Sequence, residues 1–245
     1  MSNDLSLKQI IRQCKEILKS DPNHESALLE LGTAYFHKGK LPDAITAFRR
    51  VAEINPTHQE VYCRLGASYA LMGQYDRAIE NFEKDLALNP DDLETLMNIG
   101  ICYAKKSLYE NAYKYFQLYL SLDNDSGNIH DTMSGICAKL NKTDEAIKHA
   151  ETALKLGGLE IPDVLNNAGY AYINAHRFEQ GIEYLKKGLK IQPDHLPCIF
   201  LLANTYVETS QIDEAKPYIE KLLKKQPKDY RTHLIYAKYL LQKKD

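Results

Sequence analysis

Apolar residues recur along this chain at steps of three and four, which is the spacing of one face of an α-helix. The first such stretch covers residues 6–20 and stops before Pro22. Its apolar positions are Leu7, Ile10, Ile11, Cys14, Ile17 and Leu18. Similar stretches follow in pairs, separated by short turns, as far as residue 242. The pattern predicts an all-α protein of about 14 helices.

The helix pairs repeat with one period. Gly32, Gly66 and Gly100 are 34 residues apart, and three further positions keep the same step. Those positions hold Tyr35, Tyr69 and Tyr103, then Ala44, Ala78 and Ala112, and then Phe48, Phe82 and Phe116. A fixed period of about 20 to 50 residues is typical of a stacked repeat array. We therefore expect one elongated domain, residues 1–245, rather than several globular ones.

The period divides the chain into units of two helices each. A half unit at residues 6–20 comes first, and a terminal helix at residues 230–242 comes last. The six full units between them are 25–58, 59–92, 93–126, 127–161, 162–195 and 196–229. The small residues let the two helices of a unit approach closely, and the Tyr and Phe side chains fill the space beside the contact.

Six residues occupy the position at which the first helix of a unit must stop. They are Gly39, Gly73, Ser107, Asn141, His176 and Ser210. A left-handed residue commonly closes a helix, and Gly or Asn adopts that conformation with the least strain, while His tolerates it better than most residues. We predict it at Gly39, Gly73 and Asn141 and consider it plausible at His176. The second helices stop at Pro56, Pro90, Pro193 and Pro227, because proline cannot continue a helix.

These motifs resemble the tetratricopeptide repeat (TPR). The resemblance rests on Leu31-Gly32-x-x-Tyr35, Ala44, Phe48 and Pro56, repeated at 34 residues, and it covers residues 6–242. Leu28, Tyr62, Leu96 and Leu165 stand where that family often has Trp, and this chain has no Trp. The resemblance implies a right-handed superhelical solenoid of stacked antiparallel helix pairs, whose first helices line a concave groove for a partner. It implies no chemistry.

The fourth unit departs from the repeat. Ser134 replaces the Gly, Cys137 the Tyr and Ala150 the Phe, and Gly157-Gly158 stands in place of the terminal Pro found at Pro56, Pro90, Pro193 and Pro227. One hypothesis is that residues 127–161 form the weakest joint of the array, because losing an aromatic ring removes buried area. The alternative is a compensated local repacking. A smaller irregularity is Pro217, about one turn into its helix, where we expect its missing N–H to have lacked a partner anyway.

Composition narrows the choice of compartment and partner. The formal charge is −2, from 31 basic and 33 acidic side chains, so no overall excess favours nucleic acid. No run of about 18 apolar residues predicts a membrane span, and the polar N-terminus lacks the features of a secretory signal. The five cysteines form no C-x-x-C pair, which suits a reducing compartment. We therefore expect a cytoplasmic protein with no integral membrane segment.

Motifs for catalysis, cofactor binding or metal binding are missing from the chain. It contains no P-loop, no H-E-x-x-H and no G-x-S-x-G. His24, His58 and His195 fall in the loops between units, and loop histidines are more often solvated than ligands. We predict no enzyme activity, no cofactor and no metal site.

Helical spacing and the family resemblance together predict the groove residues. In the first three units they are Leu29, Thr33, Phe36, Cys63, Arg64, Met97, Asn98 and Ile101, and in the last three they are Asp131, Asn166, Asn167, Tyr170, Phe200 and Asn204. The apolar members of the first set would form an apolar floor, and the Asn residues can each donate and accept toward a peptide backbone. Tyr170 and Phe200 could anchor a partner side chain. For Leu29, Met97 and Ile101, ordinary packing between units is an equal alternative.

The function that follows is a non-catalytic scaffold or adaptor, which binds a peptide or helical segment of a partner protein in its groove. Two alternatives stay open: a self-associating scaffold that forms homo-oligomers, and an accessory subunit of an enzyme or of a secretion or pilus-type assembly. TPR proteins that clamp the C-terminal carboxylate of Hsp70 or Hsp90 resemble one another in a Lys of the first unit. The corresponding positions here hold Leu29, Cys63, Met97, Asp131, Asn166 and Phe200. No clamp for these chaperones is therefore expected.

The C-terminal region is locally basic. Its charged residues are Lys221, Lys224, Lys225, Lys228 and Arg231, followed by Lys243-Lys244. A repeat array needs a polar end, so a solvated capping face is the favoured interpretation. An acidic partner or a membrane surface is the minor alternative.

Overall fold

The apolar pattern folds into helices throughout. The computed structural model describes residues 2–243, with side chains from residue 6 onward, and over this range it contains 14 α-helices and no β-strand. The predicted all-α array of antiparallel helix pairs is confirmed. Residues 1–124 and 125–245 form two compact parts of the chain, called unit 1 and unit 2, and each of them contains several of the repeat units. They are described one after the other. The prediction of a single elongated domain stays a prediction, and Lys244 lies outside the described residues.

Unit 1 contains seven α-helices among its described residues. They are α1 Ser2–Ser20, α2 Glu25–His37, α3 Leu41–Ile54, α4 Val61–Leu71, α5 Tyr75–Leu88, α6 Leu93–Lys105 and α7 Tyr109–Leu122. The half unit predicted at residues 6–20 is therefore a longer helix that begins at Ser2. Helices α3 and α5 end two residues before Pro56 and Pro90, as their sequences predict.

Unit 2 contains seven more α-helices among its described residues. They are α8 Gly127–Lys139, α9 Thr143–Lys155, α10 Pro162–Asn174, α11 Phe178–Ile191, α12 Leu196–Glu208, α13 Ile212–Lys225 and α14 Tyr230–Gln242. A short 3-10 helix, Gly158–Glu160, joins α9 to α10, where four of the other units have a terminal proline. The extra residue of the fourth unit is accommodated in this connection.

All six predicted helix-stop positions adopt the left-handed conformation. Gly39 and Gly73 have φ of 70° and 72°, and Asn141 and His176 both have φ of 58°. Ser107 and Ser210, which are not residue types that favour this region, have φ of 59° and 58° as well. The turn is thus imposed by the packing of the helix pair, and the local sequence only makes it more or less strained.

The fourth unit is repacked with small residues and a histidine pair. Ser134 and Ala150, at the Gly and Phe positions, are both buried. Just before Ala150, His149 places its Nδ1 2.8 Å from Nδ1 of His130, which is itself buried. Because the smaller side chains remain enclosed, this geometry favours the repacking alternative, while the weaker joint stays a prediction.

Pro217 does not lie where the sequence suggested. It is the sixth residue of α13, which begins at Ile212. The N–H groups of the first turn lack partners, but one at this depth would bond to the carbonyl of Asp213. The expectation that nothing is lost was therefore wrong, since α13 gives up one interior backbone hydrogen bond.

Candidate partner-binding pockets

The predicted groove residues lie on the first helices of the pairs. In unit 1 these are α2, α4 and α6, and in unit 2 they are α8, α10 and α12. Each unit has a pocket on this set of helices, and six of the predicted residues line the two pockets. They are Phe36, Cys63 and Arg64 in unit 1, and Asn166, Tyr170 and Phe200 in unit 2.

The unit 1 pocket has a volume of about 360 Å³. Besides the three predicted residues, its lining consists of Gln59, Glu60, Ala67, Asp85, Asp92 and Glu94. Four of the nine lining residues are acids, so we name it the acidic pocket. The sequence predicted an apolar floor on this side, and Phe36 and Ala67 supply only part of one.

Asp85 is the buried acid of this pocket. It lies on α5, is only 2% exposed, and accepts hydrogen bonds from the Cys63 backbone N–H (3.2 Å) and the Thr95 hydroxyl (2.8 Å). Glu60, the N-cap residue of α4, makes no side-chain capping bond, so Asp85 satisfies an N–H of the first turn from the neighbouring helix. Burial raises the pKa of the Asp85 carboxyl, against the lowering effect of the Thr95 hydrogen bond.

The remaining charges of the acidic pocket differ in their contacts. Arg64 forms a salt bridge with Glu60, with an Nη2 to Oε2 distance of 2.8 Å. Asp92 caps α6 by accepting from the Thr95 backbone N–H at 2.6 Å. Glu94 is exposed. Burial raises the pKa of the Cys63 thiol to about 11, so this cysteine is protonated at neutral pH.

The unit 2 pocket has a volume of about 370 Å³ and is more apolar. Its lining residues are Asn166, Tyr170, Leu196, Pro197, Phe200, Leu201, Gln226 and Arg231. The Arg231 guanidinium lies 5.4 Å from the Phe200 ring centre, and the Lys139 ammonium lies 5.3 Å from that of Tyr170. Both distances suit cation–π contacts. We name this site the aromatic pocket.

Asn166 brings an unsatisfied polar atom to the aromatic pocket. Its side-chain Oδ1 is buried and has no hydrogen-bond partner within the described part of the chain. A buried acceptor without a partner costs about 1–3 kcal/mol, so a movement of this side chain that brings Oδ1 to a donor would be favourable. The amide can present either an acceptor or a donor after a flip of its oxygen and nitrogen.

The other predicted groove residues do not line these two pockets. Asn167 donates to both carboxylate oxygens of Asp131, at 3.1 and 3.0 Å, and burial raises the pKa of Asp131. The Thr33 hydroxyl donates to the Leu29 carbonyl, and the partly buried Leu29 packs against the core of unit 1. The remaining members are the partly buried Met97, Asn98 and Asn204 and the more exposed Ile101.

His195 is a second departure from expectation. The loop position predicted a solvated side chain, and His24 is exposed, but His195 is buried. Its Nε2 lies 2.9 Å from Asp163 Oδ1, and its Nδ1 lies 3.1 Å from Cys198 Sγ. The order of the three groups is that of a nucleophilic triad. However, Cys198 is fully buried, and its pKa is raised to about 12 by burial and by the charge of Asp163, so the thiol is neither ionised nor accessible.

The C-terminal basic run is partly neutralised by acids in the loops. Lys221 and Lys225 both contact Asp194, at 3.0 and 2.9 Å, and Arg231 contacts Asp229 at 3.2 Å. These pairs hold the pKa values of Asp194 and Asp229 below the usual range. A role in tying loops to helices therefore accounts for three of the cations.

Sequence reasoning missed Asp85 although a signal was present. Asp85 stands 34 residues after Val51, a fully buried position of the repeat. A charged residue at a core position of an otherwise apolar repeat is the kind of exception that marks a site. Our groove prediction considered only first helices, and Asp85 reaches the pocket from a second helix.

Two further findings concern the described residues. None of the helices between residues 2 and 243 is both long and apolar enough to cross a membrane. Over the same range, no three His, Cys, Asp or Glu side chains are grouped as a metal ion would require.

A comparison with protein families shows to which family the chain belongs. The family model of the cilia and flagella-associated protein 70 C-terminal domain, a TPR domain, matches residues 4–242. The chain belongs to this TPR family. Members of the TPR fold generally mediate protein–protein interactions and are generally non-catalytic. Among curated protein sequences, none matches this chain.

Solved structures show the same fold at low sequence identity. The APC/C hetero-tetramer Cut9-Hcn1 has a TM-score of 0.71 at 17% identity, covering 96% of this chain and 46% of that one. Pseudomonas aeruginosa pilF has a TM-score of 0.70 at 18% identity, covering 87% and 96%. YrrB, described as a TPR protein with an unusual peptide-binding site, has a TM-score of 0.68 at 19% identity, covering 76% and 95%. This chain thus spans less than half of the first structure's chain.

Proposed function

We propose that this protein is a non-catalytic adaptor that holds an extended or helical segment of a partner protein in the aromatic pocket of unit 2. Given the description of its family, the partner is a protein of cilia or flagella. The observation that carries the proposal is the convergence of Asn166, Tyr170 and Phe200 on one pocket, with the Asn166 acceptor buried and unsatisfied. YrrB's description as peptide-binding supports the same use of the fold.

The chemistry of the pocket suits a peptide segment. Asn166 lines the pocket, and a turn of its side chain toward the opening would let a backbone N–H of the partner satisfy Oδ1, which removes the cost of a buried acceptor. Tyr170 and Phe200 offer large apolar surfaces with little conformational freedom to lose, which is why aromatic residues dominate the centres of interfaces. Lys139 contacts the Tyr170 ring and Arg231 contacts the Phe200 ring. Both cations add positive charge beside the pocket.

Affinity capture from isolated cilia or flagella tests this proposal. The full chain is used as bait beside an Asn166→Ala/Tyr170→Ala variant and a matched Asn111→Ala/Tyr109→Ala control on α7. Partners identified by mass spectrometry should be retained by wild type and the control and lost with the pocket variant. A set of partners that survives the pocket variant unchanged would rule out the aromatic pocket as the binding site. Circular dichroism confirms that each bait is folded.

A second candidate function is self-association through α14, with a second copy of the chain as the partner. Tyr230, Leu234 and Leu241 lie on one face of this helix and are 77%, 56% and 68% exposed. Exposed apolar residues in such a row often mark an interaction surface. Light scattering over a range of concentrations should show a rising mass for wild type and a constant mass for Leu234→Lys/Leu241→Lys. A constant monomer mass for wild type would exclude this candidate.

The remaining expectations stay predictions. They are the absence of nucleic-acid binding, the cytoplasmic location, and a role as an accessory subunit of an enzyme or of a secretion or pilus-type assembly. The likeness to pilF concerns the fold alone, because the two sequences are 18% identical.

A further inference from the structure

The acidic pocket of unit 1 carries more negative charge than its own cation balances. Its lining includes Glu60, Asp85, Asp92 and Glu94 but only one basic residue, Arg64. That arginine is already engaged by Glu60, which it contacts through both Nε and Nη2. Within residues 2–243, Asp85, Asp92 and Glu94 take part in no salt bridge. Three carboxylates therefore face one cavity without a counter-ion.

The burial of Asp85 raises the free-energy cost of this charge imbalance. Its carboxylate is almost completely removed from water, and the two groups that donate to it, the Cys63 N–H and the Thr95 hydroxyl, are both neutral. An ionised carboxylate in such a place loses hydration that neutral donors replace only in part. A cation that enters the pocket would restore this lost stabilisation, whereas a neutral group would not.

The residues that line the acidic pocket indicate which kind of cation it can bind. A divalent metal ion is disfavoured, because the described residues hold no cluster of three ligating side chains at metal distances. Phe36 and Ala67 instead line the same cavity, and they suit the apolar stem of a long basic side chain. A planar guanidinium can stack on the Phe36 ring and still donate to two carboxylates, which a compact ammonium cannot do equally well.

We propose that the acidic pocket binds an arginine side chain of a protein partner. This inference rests on the proposed adaptor function and deepens it, since it gives unit 1 a preference for a positively charged side chain that the aromatic pocket, with Lys139 and Arg231 beside it, lacks. Asp85 supplies the buried carboxylate, Glu94 supplies an exposed one at the rim, and Phe36 supplies the apolar wall. Arginine thereby becomes the residue that distinguishes a partner from other segments with similar apolar anchors.

Two matched peptide pools test the proposal on the full chain. Both consist of randomised dodecapeptides, and their central residue is fixed as arginine in one pool and as citrulline in the other. Citrulline has nearly the same shape without the charge. At about 0.15 M salt, wild type should retain the arginine pool about tenfold better than the citrulline pool, since even a partly buried charge pair is worth that factor.

The variants are Asp85→Asn, Glu94→Gln and Asn166→Ala/Tyr170→Ala. In Asp85→Asn, the new amide oxygen can still accept from the Cys63 N–H. Glu94 is exposed, so Glu94→Gln remains informative even if Asp85→Asn unfolds the protein. Both single variants should reduce the arginine preference, and Asp85→Asn should reduce it more. The double variant should lower retention of both pools and keep the preference for arginine.

The failures are distinguishable. Equal retention of both pools by wild type, or an arginine preference that survives in both single variants, overturns the arginine pocket. If the double variant retains both pools undiminished while Asp85→Asn abolishes the preference, the arginine pocket stands and the aromatic pocket fails. Retention of neither pool by wild type overturns both.

Discussion

A Cβ atom at Gly32 would lie 2.5 Å from Cε1 of Phe48, so the ring occupies the space that the first side-chain carbon of any other residue would need. Gly66 and Phe82 stand in the same relation, as do Gly100 and Phe116. The residues of each pair are 16 positions apart. The glycine of the repeat is therefore required by the phenylalanine ring, because only a residue without a Cβ leaves room for it.

The fourth and sixth units change both members of this pair. Ser134 faces the position of Ala150, and Ala203 faces that of Ile219, again 16 residues on. In the fifth unit Gly169 is kept and Leu185 replaces the ring. Because a packed contact constrains summed volume, the larger Ala203 compensates for the smaller Ile219 in the sixth unit, whereas the fourth unit pairs two small residues.

Gly32→Ala should destabilise the protein although alanine is the better helix former. The propensity gain is about 1 kcal/mol, and overpacking against Phe48 costs about 1–3 kcal/mol, so we expect a net loss of up to about 2 kcal/mol. Urea unfolding followed by circular dichroism measures it. Gly135→Ala is the matched control, because nothing lies within 4 Å of a Cβ there, and it should be neutral or stabilising.

Adding Phe48→Ile to Gly32→Ala reproduces the Ala203 and Ile219 pairing. The double variant should therefore be more stable than the sum of the two single changes predicts, since the smaller side chain makes room for the new methyl group. Additive losses would show that the ring and the glycine are not coupled.

Ser107→Gly should stabilise the protein. Serine pays about 1–2 kcal/mol for its left-handed φ of 59°, and glycine avoids this strain but loses more freedom on folding, so we expect a gain of up to about 1 kcal/mol. The reciprocal change, Gly73→Ser, should destabilise by about 1 kcal/mol for the same reason. Denaturant midpoints of the two variants against wild type decide this, and shifts of the same sign would contradict it.

The His130 and His149 pair should make the protein less stable in acid. The contact between their Nδ1 atoms needs one bare and one protonated nitrogen. Burial, and secondarily the nearby His130, lowers the pKa of His149 from 6.5 to about 4. Because the unfolded chain takes up this proton more readily, stability is present above about pH 6.5 and is lost as the pH falls toward 4.

Wild type and His149→Gln are compared by urea unfolding at pH 7 and pH 5. The variant should lose less stability over this interval. Buried carboxyls such as Asp85 and Asp131 have raised pKa values and act in the opposite direction, but they are common to both proteins and cancel in the difference. An identical pH dependence in the two proteins would remove His149 as its source.

A peptide that ends in acidic residues and a free carboxylate should not bind this chain. The first-unit Lys of chaperone-clamping repeats is replaced by Leu29, and the nearby acidic pocket adds repulsion. Isothermal calorimetry with the free peptide and its amidated form measures this. Micromolar binding that amidation abolishes would contradict the prediction.

The sequence alone determined the helices, their pairing and the turns between them. Each of these features depends on contacts within one repeat unit, and the chain contains six such units. Gly39, Asn141 and the terminal prolines predict their turns from local backbone preferences. The serine turns at Ser107 and Ser210 are the exception, since helix packing overrides the preference of that residue.

Only the tertiary structure decided which side chains meet at the pockets and which are buried. Asp85 reaches Cys63 across 22 residues, and His195 reaches Asp163 across 32, so neither contact leaves a periodic trace in the sequence. Burial depends on neighbours from several helices at once. The repeated residues therefore specify how the units stack, while the departures from the repeat, which periodicity cannot interpret, carry the chemistry of the proposed sites.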